Sequence, residues 1–371
     1  MASDKPTVLI VGGLGFIGRH LALHIHQNNL ASELRIVDKV LPQLAWLAPE
    51  FEEACSKDKF VQADACREQS YPRIFDRADG KQFDYVFNCA GDLRPLQPEE
   101  VYQFRNHALS MGLSKEVAKR NIRVYVETST AMIYKSGSKP SKEDDKKRPW
   151  HDLAKWKLKV EEDLRTVPGL NWVSLRFPHV FGEYDTGYTA TAVSLARTHK
   201  FLQTDFDLLH SKDLKFNTLY VKDAVRALWT AAVWRDGQKD DPSSPHIFNV
   251  VDHHNTNRGH VGDALATVFD IKVNFAGTLM SQFAKFSLDD IVDDMNEEML
   301  QAWAELLEEK GISRPGPIGP FIEMDLLTDN DLYIDGSLFE STTGFKPERD
   351  FGVDAIRDLV ASYERMGWWP A

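Results

Sequence analysis

An apolar run at residues 8–11 is followed by glycines at 12, 13, 15 and 18, and then by apolar residues at helical spacing. The run reads as a buried strand and the periodic stretch as a helix. A second apolar run, 34–37, ends in Asp38, and a short strand is expected over 59–62. Residues 83–91, 123–127 and 171–175 also read as strands. Helical patterns fall between them, over 44–54, 101–120 and 152–165, and the polar, lysine-rich stretch 135–148 reads as a surface loop. Strand and helix alternating in this way predict a parallel sheet covered on both faces.

Past residue 178 the alternation loosens. Helices are expected over 189–198, 221–234 and 280–307, a strand over 247–251, and a break at the proline-glycine run 315–320. The predicted fold is α/β: a Rossmann-type doubly wound parallel sheet with a smaller C-terminal substrate lobe. Residues 1–178 make most of the dinucleotide-binding domain and 179–371 most of the lobe, with 210–251 returning to the core.

Each glycine of the first turn has a physical job. Gly12 permits the tight turn off the strand, Gly15 lets a pyrophosphate approach the backbone, and Gly18 lets the helix pack close to the sheet. The N–H groups that open the helix, at Phe16 and Ile17, then face the phosphates. Asp38 lies about twenty residues past the last glycine, where a carboxylate binds ribose hydroxyls. It favours NAD by repelling a 2′-phosphate, and the neighbouring Lys39 partly offsets that repulsion.

Net charge narrows the partners. At −12 over 371 residues, the chain is a poor general nucleic-acid binder, and a small-molecule substrate is the expected partner. Three cysteines, Cys55, Cys66 and Cys89, have no metal-ligand spacing. They predict a reducing compartment without disulfides, and no metal. No segment has the length and apolarity of a membrane span, and no room precedes the first strand for a leader, so a cytoplasmic protein is expected. His-Glu-x-x-His, Cys-x-x-Cys and the phosphate loop ending in Gly-Lys-Ser/Thr are all missing. The Trp368-Trp369 pair near the C-terminus reads as a docking anchor.

These motifs together resemble the extended short-chain dehydrogenase/reductase family, which includes sugar epimerases, dehydratases and sterol dehydrogenases. The resemblance runs nearly end to end. Residues 12–18 match the family's cofactor loop, and 88–91 its strand end beneath the cofactor. Residues 129–134 resemble its Ser-Ser-x-x-Val-Tyr segment, and 176–182 the segment flanking the nicotinamide. Residues 217–224 resemble its Tyr-Val-x-Asp-Val segment, and 335–347 the end of the sterol dehydrogenase branch. The resemblance implies that Asp64 and Ala65 hold the adenine, that Cys89, Ala90 and Gly91 pass beneath the cofactor, and that Lys157, Pro178 and His179 lie at the nicotinamide end. It places Thr130 where the catalytic Ser or Thr sits, and it allows a homodimer paired through two helices per subunit.

One departure stands out. The family's Tyr, four residues before its Lys on one helix face, is replaced here by Leu153 before Lys157. Leucine transfers no proton, so another group such as His151 or Tyr134, or water held by Lys157, would have to do so. Three readings stay open. One is an oxidoreductase or epimerase acting on a hydroxyl or ketone of a sterol-like or sugar-like molecule. Another is a cofactor-binding sensor or scaffold. The third is a redox-neutral lyase or isomerase.

Overall fold

The computed structural model describes residues 5–238, 244–275, 288–322, 327 and 329–371. Seven strands form the central sheet: β1 (Thr7–Val11), β2 (Glu33–Asp38), β3 (Phe60–Gln62), β4 (Tyr85–Asn88), β5 (Val124–Thr130), β6 (Trp172–Phe177) and β10 (Ile247–Asn249). Their order is β10-β6-β5-β4-β1-β2-β3, and every pairing is parallel. The switch point of this doubly wound α/β sheet lies between β1 and β4, the place where ligands collect in such folds. Two ribbons lie outside it: β7 (His179–Phe181) with β9 (Thr218–Tyr220), and β8 (Phe206–Leu208) with β11 (Val273–Phe275).

Both faces of the sheet are covered, so β1 is buried at all of its positions and apolar from Val8 to Val11. On one face, α1 (Phe16–Gln27) packs with α8 (Val221–Asp236), and Phe339 of the later α11 (Ser337–Thr343) joins the same core. On the other lie α3 (Tyr71–Phe75), α5 (Leu109–Lys119) and α6 (Asp152–Leu164). The C-terminal region has its own core, from α7 (Tyr188–Leu202), α9 (Arg258–Phe269), α10 (Leu288–Glu309) and α12 (Val353–Arg365). Trp368 and Trp369 are 2% and 6% exposed in that core, so the aromatic pair does anchor the C-terminus.

Local structure departs from the pattern in two places that matter for the site. Residues 44–54 do not form one helix. A 3-10 turn (Pro42–Leu44) and α2 (Pro49–Glu52) are separated by Trp46, which adopts φ +51°. The expected helix over 101–120 is continuous but not uniform. Between α4 (Glu99–Tyr102) and α5, residues Gln103–Ala108 widen into a π-turn, a feature often found at functional sites. The expected helix over 280–307 begins at 288 among the described residues, and 280–287 lie outside them. Among the described residues no helix is long and apolar enough to cross a membrane, and no cluster of acidic, His and Cys side chains suits a metal.

Candidate functional site

Strand register builds the site. Val11 pairs with Val37 on one side and with Asn88 on the other, so Gly12, Asp38 and Cys89 leave the sheet side by side. Above them opens a cleft of ≈ 340 Å³. Of the residues singled out from sequence, Gly12, Gly15, Asp38, Lys39, Asp64, Ala65, Cys89, Ala90 and Gly91 line it. Gly12 has φ +75°, and a Cβ there would lie 2.5 Å from Ala90 N. At Gly18 a Cβ would lie 2.2 Å from Gly12 O, so this glycine is needed for helix and turn to touch. Gly15 differs, because a Cβ there would meet only Gly12 O, at 3.3 Å. The protein's own packing scarcely requires a glycine at 15, whereas a ligand lying against the turn would.

Two carboxylates mark the far end of the cleft. Asp38 accepts the Leu14 N–H at 3.1 Å and the Val40 N–H at 3.0 Å, which ties the glycine turn to the end of β2. Asp64 accepts the Cys66 N–H at 3.1 Å and an N–H of Arg105 at 3.2 Å. Burial alone would raise the Asp64 carboxyl, but the Cys66 amide and Arg105 outweigh it and hold it below its ordinary value. Burial pushes the Cys89 thiol up to about 12, so it is no thiolate nucleophile at neutral pH.

Next to Gly91, the sheet places a buried polar cluster. Asn88 of β4 pairs with Glu127 of β5, and residues in register share a face. Glu127 is fully buried. It accepts from Tyr125 OH at 2.6 Å, Asn88 Nδ2 at 2.8 Å, Ser110 Oγ at 3.1 Å and Lys157 Nζ at 3.3 Å. Lys157 also donates to Thr128 O at 2.8 Å, and its Nζ lies 3.9 Å from where a Gly91 side chain would start. Two of the three ammonium donors are thereby used within the described residues. Nearby, Ser129 Oγ is buried with no hydrogen-bond partner among the described residues. Such an orphaned hydroxyl in a native site calls for an explanation.

The other predicted residues are distributed unevenly. Thr130 ends β5, and its Oγ1 accepts the Met132 N–H at 3.2 Å. His151 caps α6, with Nδ1 accepting the Ala154 N–H at 3.1 Å and Nε2 3.4 Å from Met132 Sδ. Phe16 and Ile17 lie in the first turn of α1, outside the cleft lining. Pro178 and His179 follow β6 and are also absent from that lining. The His179 ring stacks on Phe216 at 3.9 Å, and its pKa is lowered to about 3 by burial and by Arg258. Tyr134 is carried away from the cleft. It is 3% exposed, and its hydroxyl is held between Asn249 Oδ1 at 2.7 Å and Arg176 Nη1 at 2.5 Å. A phenol so enclosed is not a proton donor to the cleft.

Sequence reasoning missed Arg19, Arg105 and Glu127. Arg19 and Arg105 wall the cleft, and Glu127 lies beneath Lys157. The signal for Glu127 was present, since a carboxylate follows three strand residues that pattern as buried, Val124, Tyr125 and Val126.

The pattern that defines the NAD dependent epimerase/dehydratase family matches residues 8–250. The chain belongs to this family. It is 24% identical over 200 residues to the bifunctional UDP-glucose 4-epimerase and UDP-xylose 4-epimerase 1 of Pisum sativum, a match covering 50% of this chain and 56% of the pea enzyme. The chain thus spans little more than half the length of that relative. The UDP-glucose 4-epimerase of Thermus thermophilus, solved with NAD, superposes with a TM-score of 0.64 at 18% identity, covering 96% of this chain and 99% of that one. UDP-N-acetylglucosamine 4-epimerase from Methanobrevibacter ruminantium M1, solved with UDP-N-acetylmuramic acid, gives 0.67 at 18% identity, covering 97% and 99%. At such identities the likeness of the solved structures is one of fold, and it agrees with the doubly wound sheet described above.

Proposed function

We propose that this epimerase/dehydratase-family protein binds NAD(H) in the cleft and acts on the sugar part of a nucleotide sugar. The carrying observation is the cleft at the switch point, lined by the glycine turn, Asp38, Asp64 and Gly91, with Lys157 Nζ 3.9 Å from where a Gly91 side chain would start. Asp38 receives the adenosine ribose, Asp64 and Ala65 flank the adenine, and the opening of α1 faces the pyrophosphate. The open side of Gly15 and the orphaned Ser129 hydroxyl fit such an occupant. Nucleotide sugars are preferred to sterols as the substrate class because the relatives named above carry UDP-sugar names.

NAD supplies a hydride acceptor when bound. The chain's own contribution is to position the ribose through the remaining Lys157 donor and the substrate oxygen through Thr130. Leu153 stands one turn before Lys157 in place of the family's Tyr, so proton transfer does not run through a helix phenol. That replacement also supports a second reading, a cofactor-binding sensor without turnover.

Calorimetry with NAD(H) and NADP(H) tests the cleft. Tighter binding of NAD(H) is expected, and equal or better NADP(H) binding would refute the role of Asp38. Turnover on UDP-sugars by the native protein, Leu153→Tyr, Lys157→Ala and His151→Ala then separates the readings. Activity lost in Lys157→Ala supports the enzyme. NAD(H) binding without turnover in the native protein, with activity gained in Leu153→Tyr, supports the sensor. Native turnover that survives both alanine variants would overturn the site.

A further inference from the structure

A second cavity, unrelated to the residues assigned so far, lies at the open β3 edge of the sheet. It is a groove of ≈ 950 Å³ between residues 41–62 and the C-terminal segments 311–314 and 366–368. That volume is at the upper end for small-molecule sites. Its lining includes the half-buried aromatic residues Trp46 and Phe60, with the buried Trp368 behind them. Its charged lining consists of Lys57, Arg73 and Arg314 against Glu52 alone, in a chain whose net charge is −12. None of those three cations forms an ion pair among the described residues, whereas Arg105, Arg123 and Arg176 elsewhere all do. Local charge therefore runs against the sign of the whole molecule, and an anion entering the groove would gain from it.

Trp46 gives the groove its aromatic wall, and its backbone is strained to do so. A bulky residue at φ +51° is uncommon and is kept only where its surroundings hold it. The holder is Arg19, which donates to Trp46 O at 3.2 Å and to Ala45 O at 3.0 Å. With the backbone fixed, the indole meets Trp368 edge to face at 5.8 Å, and the Arg314 guanidinium lies 4.5 Å over its ring. A cation resting on an indole is placed to be shared with a second π-system or with an anionic group. Arg19 also donates to Leu14 O at 2.5 Å, so the groove is framed from the same guanidinium as the glycine turn while opening on different residues.

We propose that this groove is a binding site for an aromatic organic anion, with the ring against Trp46 and Phe60 and the anionic group facing Arg314 and Lys57. The test is equilibrium dialysis of the full chain with 2-naphthyl phosphate and, as the uncharged counterpart, 2-naphthol. The phosphate is expected to bind at one equivalent per chain, roughly tenfold or more tighter than naphthol. Arg314→Glu and Lys57→Glu, both exposed substitutions outside the cofactor cleft, are expected to remove that preference with the circular dichroism spectrum unchanged. Excess NAD should leave binding in place. Equal affinity for the two probes, affinity unmoved by both charge reversals, or displacement by NAD would each overturn the assignment.

Discussion

Replacing Glu127 with Gln is the sharpest test of how the buried cluster around Lys157 is built. The carboxylate has no exposed surface and gathers four donors at 2.6–3.3 Å, one of them the Lys157 ammonium. The amide keeps the shape but loses the charge and turns one acceptor into a donor, which then faces donors. Lys157, itself only 5% exposed, would be left with Thr128 O as its remaining partner. Removing one member of a buried pair typically costs about 3–5 kcal/mol, mostly because the other charge stays buried. That is a large share of the roughly 5–15 kcal/mol by which a domain is stable. Urea unfolding followed by far-UV circular dichroism would measure it. The pair Glu127→Gln with Lys157→Met should regain most of the loss, since no unpaired charge remains; the expected coupling is about 2 kcal/mol or more. A single-variant loss below about 1 kcal/mol, the range of ordinary surface changes, would refute the claim that this ion pair is buried and structural.

Other outcomes follow from the same geometry. Gly18→Ala should lower the melting temperature and abolish NAD(H) binding, because its Cβ would sit 2.2 Å from Gly12 O; calorimetry and thermal scans check both. His20, buried between the Phe16 and Phe51 rings, has its pKa lowered by burial to about 4 from 6.5. Between those values the unfolded chain binds the proton and the folded one does not, so stability should fall as pH drops from 6.5 towards 4, and His20→Phe should flatten that slope in urea titrations. Asp252 works in the opposite direction. Burial raises its pKa to about 7 from 3.8, so stability should fall as pH rises through that window, and Asp252→Asn should remove part of the fall.

Much of this fold was legible because a doubly wound sheet writes itself in apolar runs. Residues 8–11, 34–37 and 171–175 all fall on observed strands, the last run beginning one residue early, and the glycine turn falls where its spacing put it. The unreadable parts depend on long-range partners. The π-turn over Gln103–Ala108 leaves no trace in hydrophobic periodicity, because it is fixed by Asn106, which accepts the Asp92 N–H at 3.2 Å and donates to Asp92 O at 3.1 Å. Trp46 breaks an otherwise helical pattern because Arg19 reaches it from 27 residues away. The fate of Tyr134 was hidden for the same reason, since its hydroxyl partner Asn249 lies 115 residues further on. Lys157 was visible as a motif residue, but the carboxylate beneath it belongs to β5, 30 residues earlier.

The position of β10 bears on how the molecule is made. Residues up to 177 supply six of the seven strands, yet the outer edge of β6 and the α1 side of the sheet stay open until β10 and α8 arrive. At 5–20 residues per second, the roughly 70 residues between the end of β6 and the end of β10 take about 4–14 s to synthesise. During that interval a growing chain presents an unpaired parallel edge and an uncovered apolar face, and Phe339 completes that face later still. A fragment cut after β6 would keep both surfaces open permanently. The residues that line the cleft and the folding unit are therefore not coextensive, and self-association of the partial chain is a hazard built into the order in which its strands are made.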